Sequence, residues 1–174
     1  MRAFERAVEK HQKSVFTFAR YLLGNQHEAE DVAQEALLRM WRHWDSLDVE
    51  RLEAWLLKVT RNLCYDRMRR LRVVRRVVPA STDEENAPEV VSLDPTPEET
   101  AHSGALRVTL MEALVRLREP YKSAVILREV EGYTYREISE ALETPLNSVK
   151  VHVYRGRRLL REMLKEVAVD VAAS

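Results

Sequence analysis

The chain has 174 residues, enough for one domain of ordinary size or two small ones. Its apolar content of 45% excludes wholesale disorder, and four Gly with six Pro suit helices better than a β-rich fold. The formal charge sums to zero, and no stretch approaches the ~18 uninterrupted apolar residues of a membrane span, so no insertion into a membrane is expected. The opening "MRAFERAVEK" carries charges where a secretory signal needs its apolar core. The single cysteine, Cys64, forms no internal disulfide and suits a reducing cytosol. The five histidines are scattered without ligand spacing or thiol neighbours, so neither a metal nor another cofactor is expected. With no phosphate loop and no nucleophile–base pairing, the chain does not read as an enzyme.

Zero net charge hides a strong sorting. Residues 61–76 hold seven arginines against Asp66 alone, and residues 77–106 hold seven carboxylates with no Lys or Arg. In residues 147–165 the sign returns to positive, with Lys150, Arg155, Arg157, Arg158, Arg161 and Lys165 against Glu162. Two basic blocks separated by an acidic one predict two polyanion-contacting surfaces that stay apart.

The first helix is predicted over 3–23, with Phe4, Val8, Val15, Phe18 and Leu22 at helical spacing and a Gly24-Asn25 stop. A second runs over 28–44, its first turn acidic as the helix dipole prefers. On it Asp31, Gln34, Glu35 and Leu38 form one stripe, offset from the inward Ala33, Leu37, Met40 and Trp44. Two carboxylates, an amide and a leucine suit docking against a basic helical partner, and they equally suit an ordinary solvated acidic face. A third helix runs from 49 past 72, burying Leu52, Trp55, Leu56, Val59 and Leu63. Its opposite face carries Lys58, Arg61, Asn62, Tyr65, Asp66 and Arg69, a mixture able to hold a phosphate backbone and an unstacked base. Trp41, Trp44 and Trp55 are assigned to the core, and Cys64 to a small packed position.

"PASTDEENAPEVVSLDP" has no periodicity and three prolines, and reads as a linker over 79–95. Thr96, Pro97 and Glu99 restart order as a capping box with Pro at the first helical position. Helices are predicted over 97–117 and 119–130. A second capping box, Thr134 with Glu137, opens a short helix burying Ile138, Ala141 and Leu142. Glu143 and Thr144 make the turn, at a left-handed position that prefers Gly. Thr144 and Pro145 then start a longer helix with Leu146, Val149, Val153 and Leu160 inward. Short helix, tight turn and capped second helix spell a helix-turn-helix. Facing outward are Asn147, Ser148, Lys150, Val151, Tyr154, Arg155 and Arg158, whose hydrogen-bonding, methyl and cationic groups fit a major groove. A hairpin merely solubilised by its charges would not need Tyr154 among cations on the outer face. The expected architecture is all-α: two small helical domains, 1–78 and 96–174, joined by a flexible acidic linker, the second domain a helix-turn-helix.

The stretch "LREPYKSAVILREVEGYTYREISEALETPLNSVKVHVYRGRRLLREML" resembles the carboxy-terminal, promoter-reading domain of bacterial sigma factors of the extracytoplasmic-function group, in the sigma-70 family. "EAEDVAQEALLRMWRHWDSLD" and "EAWLLKVTRNLCYDRMRRLR" are similar to the core-binding and start-proximal promoter-binding segments of that family, in the same order. The resemblance covers the chain from about Phe4 to Leu164. "WDSLDVERLEAW" lacks the Gly-containing segment that many relatives have there. Taken as family membership, the resemblance implies a cytoplasmic, non-catalytic subunit that binds core RNA polymerase and promoter DNA and supports promoter melting. It implies docking of Asp31, Gln34, Glu35 and Leu38 on the clamp coiled coil of the largest polymerase subunit. Upstream DNA would meet Tyr135, Asn147, Ser148, Lys150, Val151, Tyr154, Arg155 and Arg158. Lys58, Arg61, Tyr65, Asp66 and Arg69 would surround an Asn62 pocket for a flipped base. An anti-sigma factor, supplied by an adjacent membrane or zinc-binding protein, is implied as a further partner. The alternative is a helix-turn-helix regulator that binds duplex DNA without polymerase and leaves the basic third helix unexplained.

Overall fold

The computed structural model describes residues 2–77 and 101–172, and every regular element among them is helical. Helix α1 (Arg2–Leu23) buries Val15, Phe18, Ala19 and Leu22. It ends on Gly24, whose φ of 71° lets its N–H return to Arg20 O at 2.9 Å. Asn25 opens α2 (Gln26–Arg42) by accepting the Glu28 N–H at 3.0 Å. The helix therefore starts two residues before the acidic turn from which it was read, and the stop signal doubles as a cap. Two 3-10 turns, Trp44–Ser46 and Val49–Arg51, precede α3 (Leu52–Val77). The predicted linker at 79–95 and the box at Thr96 and Glu99 lie outside the described residues.

In the second half, α4 (Ala101–Arg116) is followed by α5 (Tyr121–Val125), which widens into a π-helical turn at Ile126–Val130. The single helix expected over 119–130 is thus a short helix plus a wide turn, in which Glu131 N–H reaches back five residues to Ile126 O. Helix α6 (Tyr135–Leu142) has the expected reciprocal box between Thr134 and Glu137. Glu143 takes the left-handed conformation at φ 50°, ψ 43° with no glycine to ease it. Helix α7 (Leu146–Ala172) follows. Thr144 does not cap it. Its hydroxyl donates to Leu142 O at 3.1 Å, closing α6 instead. Leu146 is 39% exposed, because the inward stripe begins one turn later with Val149, Val153 and Leu160.

One core belongs to the first half alone, where Val15, Ala33, Ala36, Met40, Leu52 and Leu56 meet. The other is shared. Phe18, Leu22, Ala29, Val32, Leu57 and Cys64 pack with Leu114, Leu117, Ala124, Val125, Ile126 and Leu127 and the inner faces of α6 and α7. The charge sorting predicts that the two basic surfaces stay apart, and among the described residues the halves that carry them share a continuous apolar interior. The cause is that α3 has two apolar sides: Leu52 and Leu56 face α1 and α2, while Leu57 and Cys64 face the second half. The buried Lys122 closes the joint from the other side, its ammonium donating to Leu22 O at 2.7 Å and Val115 O at 3.1 Å.

Gly156 shows how tightly α7 meets α5. A Cβ there would overlap Val125 Cγ2 and lie 3.3 Å from Tyr121 Cβ. In an open helix Gly→Ala gains ~0.5–1 kcal/mol, but forcing a methyl into a filled seam costs ~1–3 kcal/mol. Gly156→Ala is expected to lower stability in a urea titration followed by circular dichroism. A higher midpoint would contradict the close seam.

Candidate nucleic-acid and partner interfaces

The outer face of α7 is solvent-facing as expected. Asn147, Lys150, Val151, Tyr154, Arg155 and Arg158 are exposed, Tyr154 by 67%, and Ser148 is half-buried. Nothing apolar from α6 covers them, since α6 spends Ile138 and Ala141 on the inner side. Arg157 is not part of the free cationic surface: its guanidinium lies on Glu129 of the π turn, Nε to Oε1 2.9 Å. Arg158 lies 3.5 Å from Glu162 on its own helix, an exposed pairing that gives way readily to a phosphate. Tyr135 is half-buried at the start of α6, and the Arg128 guanidinium lies 4.8 Å from its ring centre.

The expected face of α3 is divided. Asn62, Asp66 and Arg69 are exposed, with Arg69 3.6 Å from Asp66. Lys58, Arg61 and Tyr65 instead turn toward the second half. Lys58 Nζ is 2.6 Å from Glu143 Oε1, Arg61 is 4.0 Å from Glu119, and the Tyr65 hydroxyl donates to Glu119. The Arg61 guanidinium also sits 5.6 Å from the Tyr65 ring centre. Helical geometry is the reason: Leu57 and Cys64 enter the shared core, and the residues beside them on the same side reach its rim. Burial and the neighbouring Glu119 carboxylate push the Tyr65 hydroxyl well above its ordinary range, so it stays a donor. Glu119 further accepts from the Ser123 N–H at 3.2 Å and from the Ser123 hydroxyl.

On α2, Asp31, Gln34 and Leu38 are exposed and Glu35 is half-buried, so the four residues do share one accessible stripe. Both carboxylates have intramolecular partners. Glu35 accepts from Arg39 at 2.9 Å, which holds it below the usual carboxylate range, and Asp31 is 2.9 Å from Arg67 of α3. Trp41, assigned to the core from the sequence, is 63% exposed. It lies three residues after Leu38 and seven after Gln34, and so extends the same stripe by one further turn, a spacing available in the sequence. Trp44 is half-buried edge-on to Phe4 at 5.2 Å, and Trp55 is half-buried beside His43. Sequence reasoning missed Glu119 and Glu143 as well; no local signal joins them to α3, because the contacts span 54 and 85 residues.

A second polar seam runs between the halves near α1. The Ser14 hydroxyl donates to Glu131 at 2.7 Å and lies 2.8 Å from the Tyr133 hydroxyl, which donates to Glu53 at 2.8 Å. Among the described residues no group of His, Cys, Asp and Glu could hold a metal ion, and no helix is long and apolar enough to cross a membrane.

The Sigma-70 region 2 family model matches residues 7–74, and the Sigma-70, region 4 model matches residues 107–160. The chain is 30% identical over 169 residues to the ECF RNA polymerase sigma factor SigW of Bacillus subtilis, covering 95% of this chain and 90% of that one. It is 34% identical over 175 residues to the ECF RNA polymerase sigma factor SigE of Mycolicibacterium smegmatis; all of this chain is covered, and it spans 66% of that longer relative. Among solved structures, the sigma factor RpoE of Bartonella quintana, in complex with the anti-sigma factor NepR, has the same fold: TM-score 0.74, 24% identity, 95% of this chain and 98% of that one.

Cys64 is buried in the shared core, where burial pushes its thiol up to about 12. The native chain is therefore expected to resist a thiol reagent at neutral pH and to react at once in denaturant. Rapid native labelling at pH 7 would show that the joint core is open in solution.

Proposed function

The chain belongs to the extracytoplasmic-function group of the sigma-70 family and is an RNA polymerase sigma factor, and we propose the following roles for its exposed faces. The α2 stripe of Asp31, Gln34, Glu35 and Leu38 docks on core polymerase, where a carboxylate- and amide-bearing face suits a basic helical partner. The α7 face reads the upstream promoter element, with Lys150 and Arg155 at base edges, Asn147, Ser148, Val151 and Tyr154 beside them, and Arg158 on phosphate. Tyr135 supports that surface from the start of α6. The α3 face, with Asn62 central, engages the start-proximal element and captures a base once the duplex melts; Lys58, Arg61, Tyr65, Asp66 and Arg69 flank it. Residues 1–78 and 96–174 are the two working units, and the chain acts in the cytoplasm alongside polymerase. The observation that carries this most strongly is the α7 outer face, where cations, hydrogen-bonding groups and Tyr154 stand exposed together. A helix-turn-helix regulator acting without polymerase would have no use for the α2 stripe or the exposed Asn62.

An anti-sigma partner fits the same surfaces. The RpoE relative is bound to an anti-sigma factor, NepR. We propose that this chain too meets a protein that covers the α2 stripe and the α7 face.

Run-off transcription with purified bacterial core polymerase on a promoter panel is the test, and specific transcripts are expected only when the chain is added. Lys150→Ala and Arg155→Ala should each cost ~1–3 kcal/mol of upstream-element discrimination. Arg158→Ala should instead reduce the salt slope of binding by about 0.9, and Arg157→Ala, already spent on Glu129, should leave that slope unchanged. Asn62→Ala should keep core binding and upstream recognition yet lose open complexes in permanganate footprinting, with relaxed base preference at one position. Wild-type melting with undiminished preference would return Asn62 to an ordinary surface residue.

A further inference from the structure

We propose that Glu119 and Glu143 form a carboxylate latch that holds the free chain closed by occupying the α3 groups that start-proximal DNA would engage. The inference rests on the assignment of Lys58, Arg61 and Tyr65 to that DNA surface. Two carboxylates from the second half reach all three. Glu119 receives the Tyr65 hydroxyl and faces Arg61, and Glu143 meets Lys58 at 2.6 Å. These are the contacts a DNA phosphate would make, hydroxyl and cations converging on an anionic oxygen. The carboxylates stand in for the backbone while the polymer is absent. DNA and the second half therefore compete for one set of groups.

Two features mark the latch as built to release. Glu143 is the one non-glycine residue with positive φ among the described residues, at a helix-ending position where glycine would relieve the backbone. A side chain is kept there, and it is the side chain that reaches Lys58. At the other carboxylate the fit is incomplete. Glu119 Oε2 and Arg61 Nε are buried, make no hydrogen bond within the protein, and face each other only through the 4.0 Å approach of Arg61 Nη2. Buried charged groups left short of partners favour any arrangement that satisfies them, and opening does so by giving Arg61 a phosphate and returning the Glu119 carboxylate to water.

The test uses the full chain without polymerase. Glu119→Gln removes one charge while keeping an acceptor for Ser123, and Glu143→Gly removes the other while relieving the turn, so the folded halves should survive the double change. A control, Glu112→Gln with Glu140→Gln, removes the same charge from two other exposed positions of the second half. Two readouts are taken: the labelling rate of Cys64, and affinity for a random-sequence 20-nucleotide single-stranded DNA pool. The latch predicts at least tenfold faster labelling and at least tenfold tighter DNA binding in the double variant, with the control within about twofold of wild type. Equal gains in variant and control would mean bulk charge alone and overturn the latch, as would unchanged labelling with unchanged affinity. Neither negative result touches the sigma-factor assignment, which is decided separately by run-off transcription.

Discussion

Helix α3 is asked to be buried on two sides at once, and most of the molecule is arranged around that demand. Leu52 and Leu56 secure it to α1 and α2, and Leu57 and Cys64 draw the second half onto its other side. A helix has limited circumference, so with two apolar sides its polar residues are confined to what remains. Asn62, Asp66 and Arg69 keep the open sector, and Lys58, Arg61 and Tyr65 fall at the rim of the joint. The α3 sector proposed to meet DNA and the surface that joins the halves are consequently neighbours on one helix. On that proposal the two uses of α3 are separated by opening and closing rather than by distance.

The joint mixes strong and weak elements. Its apolar centre is dry, with Leu57, Cys64, Leu114 and Val125 nearly inaccessible. Burial of that kind contributes ~1.5–3 kcal/mol for each large side chain. Its polar rim contributes less: an exposed pair such as Lys58–Glu143 is worth ~0–1 kcal/mol. The apolar centre therefore supplies most of the affinity between the halves, while the rim, with Glu119 accepting from Tyr65 and Ser123 and Glu143 meeting Lys58, adds the margin that keeps them closed and decides which α3 groups are withheld. Lys122 is the exception, a lysine sunk into the joint and pushed down to about 8 by burial. Its ammonium is tolerated because two backbone carbonyls receive it.

Much of the local structure was legible because it rests on contacts a few residues apart. The Thr134–Glu137 box, the Gly24 stop, the left-handed position at Glu143 and the outward face of α7 all follow from helix termini and helical period. The errors have equally local causes. Thr before Pro suggests a cap at Thr144, but α7 begins at Leu146 with Pro145 O taking its first bond from the Val149 N–H, which leaves Thr144 one residue outside the cap position. Apolar character assigns Leu146 and Trp41 to the core, and both stand outside it. The union of the halves could not be read at all. It depends on pairings such as Ser14 with Glu131 and Tyr65 with Glu119, which no periodicity encodes. Charge sorting even suggested the opposite, since two basic blocks should repel; they avoid this because α3 meets the carboxylate-bearing α6 and α5 turns while α7 keeps its cations outward.

Hydrogen–deuterium exchange of the free chain, of its complex with core polymerase, and of that complex on promoter DNA addresses all three surfaces in one experiment. Polymerase should protect α2 around residues 31–41, and promoter DNA should add protection at 147–158 and around Asn62. On polymerase binding, before DNA is added, backbone at 57–65 and at 121–127 should exchange faster than in the free chain, as the halves part. A polymerase complex in which α3 and α5 stay as protected as in the free chain, with α2 unprotected, would contradict both the docking surface and the closed-to-open account.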